Sequence, residues 1–217
     1  MSSAQPDGYL ALPTTGTGKR VLVLHAWWGL NDTIRGICDR LAQTGFVAFA
    51  PDLYEGRVTD QIAEAEKLVG AMETKLDQTR ARLDEALAFL QEQAGASESG
   101  VSVIGFSMGA FYALDLSANA PESVHSVVVF YGAGGADFSK AKASYLAHFA
   151  ESDPYEPQES LDYLENALKT AGRPLTLYTY PGTGHWFFEP DRQDAYNEAA
   201  SALAWERTIT FLNRTQG

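Results

Sequence analysis

VSVIGFSMGA, residues Val101 to Ala110, is the stretch on which the reading of this chain turns. A β-branched run leads straight into Gly105-Phe106-Ser107-Met108-Gly109, a serine held between two glycines. That G-x-S-x-G spacing predicts a strand, a sharp turn and a helix, with the serine hydroxyl at the tip of the turn. Glycines lack a Cβ, so the strand and the helix can close tightly around the turn. A helix beginning near Met108 points its first N–H groups and the positive end of its dipole at the serine. A glycine-rich turn before an ordinary helix would look the same locally. The reading therefore depends on whether the rest of the chain supplies a base, an acid and an oxyanion hole.

Outward from this turn, short apolar runs alternate with amphipathic segments. VLVLHA from Val21, FVAFA from Phe46, VSVI from Val101, SVVVFY from Ser126, YLAHFA from Tyr145 and LTLYTY from Leu175 are continuous rather than alternating. Strands covered on both faces have that character. GYLAL from Gly8 reads as an antiparallel edge strand. Ile34, Ile37, Cys38 and Leu41 recur at helical spacing, as do Leu83, Ala86, Leu87 and Leu90. Leu161, Leu164 and Leu168 share one helical face that Gly172 would end, and a last helix is predicted from about Asp194 to Phe211, carrying Trp205. Strands alternating with helices imply right-handed crossovers and a mostly parallel central sheet with helices on both faces. The economical organisation is one α/β domain over residues 1–217, with no internal repeat or low-complexity linker.

Sites in such sheets form at the carboxyl ends of the strands, so the residues just after each apolar run carry the functional reading. Ser107 follows VSVI. Asp153 follows YLAHFA, in ESDPYEP. His185 follows LTLYTY, in PGTGHWFFEP, a Pro/Gly-rich loop with three aromatics. The order Ser…Asp…His is that of α/β-hydrolases, not of the chymotrypsin or subtilisin chains. Each of the three has an ordinary structural reading when taken alone: a glycine turn, an Asp-Pro turn, a surface histidine. Together, in this order and at strand ends, they predict a nucleophile, an acid and a general base. Met108 and Trp27 are the expected backbone donors of an oxyanion hole. His25, Trp28, Trp186 and Phe187 are the expected substrate-lining residues, and Trp27 and Phe188 also flank the site in sequence. His125 reads as solvated, His148 and Cys38 as core, and Asp52 as a turn residue.

Composition bounds the alternatives. The 217 residues are 45% hydrophobic, enough for a real core, and the net charge of −12 disfavours nucleic acid and anionic membranes as partners. A single cysteine, Cys38, excludes an internal disulfide and fits a reducing compartment. The opening MSSAQPDGYLALP has neither the basic region nor the apolar core of a leader, and no apolar run of about 18 residues is present. A cytoplasmic protein acting on a small molecule is the expectation, with no metal or other cofactor called for; the sequence leaves the oligomeric state open.

HAWWGLNDTIRGICDRLAQTGFVAFAPDLYEG, VIGFSMGA, HFAESDPYEP and YPGTGHWFFEP together resemble the dienelactone hydrolase family, a branch of the α/β-hydrolase fold. The resemblance runs from about Leu22 to Phe211. It implies a small hydrolase of lactones and esters without a cap domain, a carboxylic ester hydrolase of the carboxymethylenebutenolidase kind. Two positions depart from the family pattern. Family members typically have cysteine where this chain has Ser107, and a glutamate near that thiol where it has Ala26. The two changes go together, since a hydroxyl is not stored as its anion. A serine enzyme on this scaffold implies a wider range of esters or lactones. Thioesterase or peptidase-like acyl transfer would use the same triad, and a ligand-binding protein that has kept the fold without catalysis is the alternative outside enzymes.

Overall fold

The apolar runs become strands, and each amphipathic segment turns its buried stripe towards them, in a computed structural model that describes residues 4–93 and 100–215. Met1–Ser3 of the stretch read for a leader lie outside the described residues. The strands are β1 (Gly8–Ala11), β2 (Lys19–Leu24), β3 (Phe46–Pro51), β4 (Val101–Phe106), β5 (Val124–Phe130), β6 (Ser144–Ala150) and β7 (Leu175–Tyr180). The helices are α1 (Asp32–Gln43), α2 (Ile62–Glu73), α3 (Leu76–Gln93), α4 (Met108–Asn119), α5 (Gln158–Thr170) and α6 (Glu198–Thr215). The strands make one seven-stranded sheet in the order β1-β3-β2-β4-β5-β6-β7, the mostly parallel α/β-hydrolase arrangement. By packing, the chain divides into two compact units, Met1–Val101 and Ser102–Gly217.

In the first unit β2 runs parallel to β3, with Lys19 opposite Phe46 and Leu22 opposite Phe49. β1 is antiparallel to β3, Gly8 opposite Pro51 and Ala11 opposite Ala48, as the sequence predicts for an edge strand. Asn31 caps α1 by accepting from the Ile34 N–H at 3.1 Å. Ile34, Ile37, Cys38 and Leu41 form the buried face of that helix. Gly29 has φ +85°, and a Cβ there would overlap the Arg57 carbonyl oxygen, so only glycine fits. The sequence reading did not single out α2. Its buried stripe is only Ala65, Leu68 and Met72, diluted by a charged exposed face.

In the second unit β5, β6 and β7 are parallel neighbours, Phe130 opposite His148 and His148 opposite Tyr178. Phe106, Phe130 and Phe188 stack in its core with ring centroids 4.5–5.6 Å apart. His148 is fully buried between the Tyr180 hydroxyl at 2.7 Å and Thr208 Oγ1 at 3.0 Å. Burial lowers its pKa to about 3, so it is a neutral core histidine as expected. α5 ends as predicted, with Gly172 at φ +68° donating to the Lys169 carbonyl. The last helix starts later than the sequence predicts, at Glu198 rather than Asp194. Asn197 sets that start by accepting from the Ala200 N–H at 3.0 Å while its own N–H is held by the Phe187 carbonyl. Between β5 and β6, residues 131–143 form a single 3-10 turn, Phe138–Lys140, and no cap is inserted. Among the described residues no helix is long and apolar enough to cross a membrane.

Candidate active site

Ser107 is the residue on which β4 turns into α4. Its backbone has φ +50° and ψ −115°, a conformation that an L-residue adopts only under strain. Two glycines make the turn possible. A Cβ on Gly105 would overlap the Gly109 carbonyl, and one on Gly132 would lie 2.5 Å from the Ser107 carbonyl oxygen and 2.7 Å from the Ala110 Cβ. The Ser107 N–H is held by the Phe130 carbonyl at 2.9 Å and the Ser107 carbonyl accepts from Ala110 at 2.8 Å. The end of β5 is thus the floor under Ser107. Gly132→Ala is expected to cost on the order of 2 kcal/mol by forcing that floor away, and to lower ester turnover alongside. Urea melts and initial rates on the same sample check both.

The three residues placed at strand ends by the sequence meet. Ser107 Oγ lies 2.9 Å from His185 Nε2, and His185 Nδ1 lies 2.7 Å from Asp153 Oδ2. The Asp153 and His185 side chains are each only 3% exposed. Asp153 Oδ1 accepts from the N–H groups of Tyr155, at 2.9 Å, and Glu156, at 3.1 Å. The second oxygen is left for the imidazole. A carboxylate oxygen at Nδ1 favours the tautomer with the proton on Nδ1, which leaves Nε2 to accept from the serine hydroxyl. The loops that carry Asp153 and His185 are laced together: Ser152 N–H donates to Thr183 O at 3.1 Å and Gly182 N–H to Glu151 Oε2 at 2.9 Å.

Three aromatic rings box the imidazole. Tyr131 and Tyr155 each stand 5.0 Å from it and Trp186 4.7 Å, edge-on at 86°. Such rings hold the plane of the imidazole. Beside them, Ala133, Gly134, Gly135, Tyr155, Glu156 and Tyr163 line an open cleft of about 410 Å³. The Glu156 carboxyl in its wall is pushed up to about 7, chiefly by burial.

Not every expected lining residue reaches a surface. His25 is fully buried; its Nδ1 donates to the Ala26 carbonyl at 2.7 Å and its Nε2 accepts from the Leu53 N–H at 3.3 Å. Burial lowers its pKa, and with both nitrogens engaged it braces the turn after β3 instead of meeting a ligand. Trp28, 1% exposed, and Phe187, wholly buried against Tyr131 and Tyr180, are core side chains. A strand-end position alone does not distinguish a side chain aimed at the site from one aimed at the sheet. Trp27 is half-buried, and Trp186, 5% exposed, packs on the imidazole. Asp52 accepts from the Tyr54 and Gly56 N–H groups, the turn role expected of it. Tyr131, Tyr155, Glu156 and Glu189 were not singled out by sequence. Tyr131 ends an apolar run and so carried the same signal as the triad; Tyr155 lies two residues past Asp153.

The model of the dienelactone hydrolase family matches residues 7–216. Protein usf of Aquifex pyrophilus is 33% identical, over 94% of this chain and 91% of its own. A protein of Aquifex aeolicus, provisionally named carboxymethylenebutenolidase, is 31% identical over the same shares. Among solved structures, a dienelactone hydrolase-like promiscuous phosphotriesterase from metagenomic libraries superposes with a TM-score of 0.86 at 23% identity, over 97% of this chain and 92% of that one. At that identity the likeness concerns the fold. Family match, relatives and fold agree: the chain belongs to the dienelactone hydrolase family of α/β-hydrolase enzymes.

Proposed function

We propose that the protein hydrolyses small carboxylic esters or lactones through an acyl-enzyme on Ser107. The observation that carries this reading is the unbroken chain Ser107 Oγ, His185, Asp153, with both hydrogen bonds formed. His185 Nε2 takes the hydroxyl proton as Ser107 Oγ attacks the carbonyl carbon. Asp153 stabilises the resulting imidazolium. The tetrahedral oxyanion is met by the Met108 N–H at the start of α4. Such a donor is worth on the order of 3 kcal/mol of barrier. His185 returns the proton to the leaving oxygen, then takes one from water, which attacks the acyl-enzyme and frees Ser107. The cleft beside His185 fits one half of the ester. Its lining includes Glu156 and Glu159 and no basic side chain, which favours uncharged or cationic esters over anionic ones.

A fluorophosphonate probe tests the reading. A single adduct on Ser107, with turnover of p-nitrophenyl acetate or butyrate, is the expected result. Absence of labelling and of turnover across an ester and lactone panel would leave only the ligand-binding alternative. The same reading predicts indifference to thiol reagents. Cys38 is the single cysteine, it is buried, and burial pushes its thiol up to about 12. Incubation of the native enzyme with iodoacetamide is expected to leave ester turnover intact, the opposite of what a cysteine nucleophile gives.

A further inference from the structure

Tyr131 follows β5 with a left-handed φ of +34°, its N–H held by the His148 carbonyl at 2.7 Å. This unusual backbone turns its ring against His185 and its hydroxyl away, to donate to Glu189 Oε1 at 2.6 Å. Glu189 is wholly buried in the same loop as His185, and its other oxygen, Oε2, has no hydrogen-bond partner among the described residues. Gly132, the next residue after Tyr131, is the one pressed against the Ser107 carbonyl. One short segment therefore touches the nucleophile and the base, and a buried carboxyl is its far anchor.

We propose that Glu189 is a positioning residue for catalysis: as a neutral carboxylic acid it anchors Tyr131, and through that ring it holds His185 in line with Ser107. The proposal rests on the acyl-enzyme reading above. A carboxylate in this position would be a buried charge with one oxygen unsolvated, and it would draw water in among Phe187, Phe188 and Tyr131. The neutral acid avoids this. Burial raises the Glu189 pKa to about 8, so the acid persists at neutral pH. The groups that bear on it are the Tyr131 hydroxyl from the end of β5 and Asp191 and Arg192 from its own loop. Asp153, from the loop after β6, faces the same tyrosine. Loss of the proton at alkaline pH then loosens the base loop. Glu189 touches no substrate in this scheme, so the effect falls on kcat and not on KM.

The raised pKa sets the sign and the window. Folding binds a proton at Glu189, so the stability this residue allows is full below the unfolded value of about 4.3 and is lost as pH rises to about 8. E189Q reproduces the neutral acid in shape and has no proton to lose.

The test measures p-nitrophenyl butyrate kinetics from pH 6 to 10, with S107A as the blank for spontaneous hydrolysis, and urea midpoints over the same range. In the wild type, kcat is expected to fall about threefold or more between pH 7 and 9.5, with KM steady within about twofold. In E189Q the fall disappears, and its urea midpoint gains on the wild type steadily from pH 6 to 8. In Y131F the hydrogen bond that couples Glu189 to the ring is gone, so kcat at pH 7 is expected to be lower than in the wild type and its fall towards pH 9.5 to flatten. Coincident kcat profiles for the wild type and E189Q overturn the proposal, even where the urea curves diverge, since Glu189 would then be structural only. A Y131F profile that keeps the full wild-type kcat and its alkaline fall overturns it as well, which covers an E189Q protein that fails to fold. Wild-type turnover with coincident profiles leaves the acyl-enzyme reading standing; no wild-type turnover at any pH removes both.

Discussion

Ser107→Ala is expected to lower kcat/KM for p-nitrophenyl esters by about 10,000-fold or more, because it removes the hydroxyl held 2.9 Å from His185 Nε2. The fold is expected to survive, since among the described residues the Ser107 side chain makes its hydrogen bond to the imidazole alone. Ser107→Gly separates strain from chemistry. The backbone at 107, φ +50° and ψ −115°, suits glycine and penalises every other residue. The glycine variant is expected to be equally inactive yet more stable than the alanine variant by about 1 kcal/mol. Rates and urea melts on the three proteins check this. Ordinary turnover by either variant would remove Ser107 from the mechanism.

Asp153→Asn is the second large effect, and its direction can be worked out from the hydrogen bonds. Asp153 Oδ1 accepts from two backbone N–H groups, those of Tyr155 and Glu156. An asparagine must keep its carbonyl oxygen there, which turns its NH2 towards His185 Nδ1. That nitrogen must then accept, so the proton moves to Nε2 and faces the serine hydroxyl as a donor. The base is still present but in the wrong tautomer. A fall in kcat of about 1,000- to 10,000-fold is expected, with KM little changed. Stability should change far less than activity, because the loop keeps its turn. Steady-state kinetics beside a thermal melt distinguish the two; a kcat within tenfold of the wild type would show that Asp153 does not set the tautomer.

The strands and the triad were legible because both leave strong local marks. Continuous β-branched runs have few other uses, and Gly105 and Gly109 around Ser107 mark a turn that other residues fit poorly. Asp153 and His185 lie in the loops just past two of those runs, where a parallel sheet gathers its chemistry. The failures have a common cause. His25, Trp28 and Phe187 also come after strands or sit beside His185, but whether a side chain faces the site or the core depends on rotation about one or two backbone bonds. Sequence spacing does not encode that rotation. Glu189 was invisible for a different reason. A glutamate before a proline in a charged loop reads as solvated, and only the folded loop, which buries it completely against the Tyr131 hydroxyl, makes it a buried acid. The start of α6 lies at Glu198 and not at the expected Asp194 because the Asn197 side chain caps the helix there.

The hydrogen bonds from Ser152 to Thr183 and from Gly182 to Glu151 have a consequence for anyone remodelling this scaffold. Grafting the turn that carries the acid without the one that carries the base would sever both stitches and leave unpaired amides on each side. The transplantable cassette is Glu151 to His185 as one piece, β7 included, and recombination between relatives should place its crossovers outside that interval.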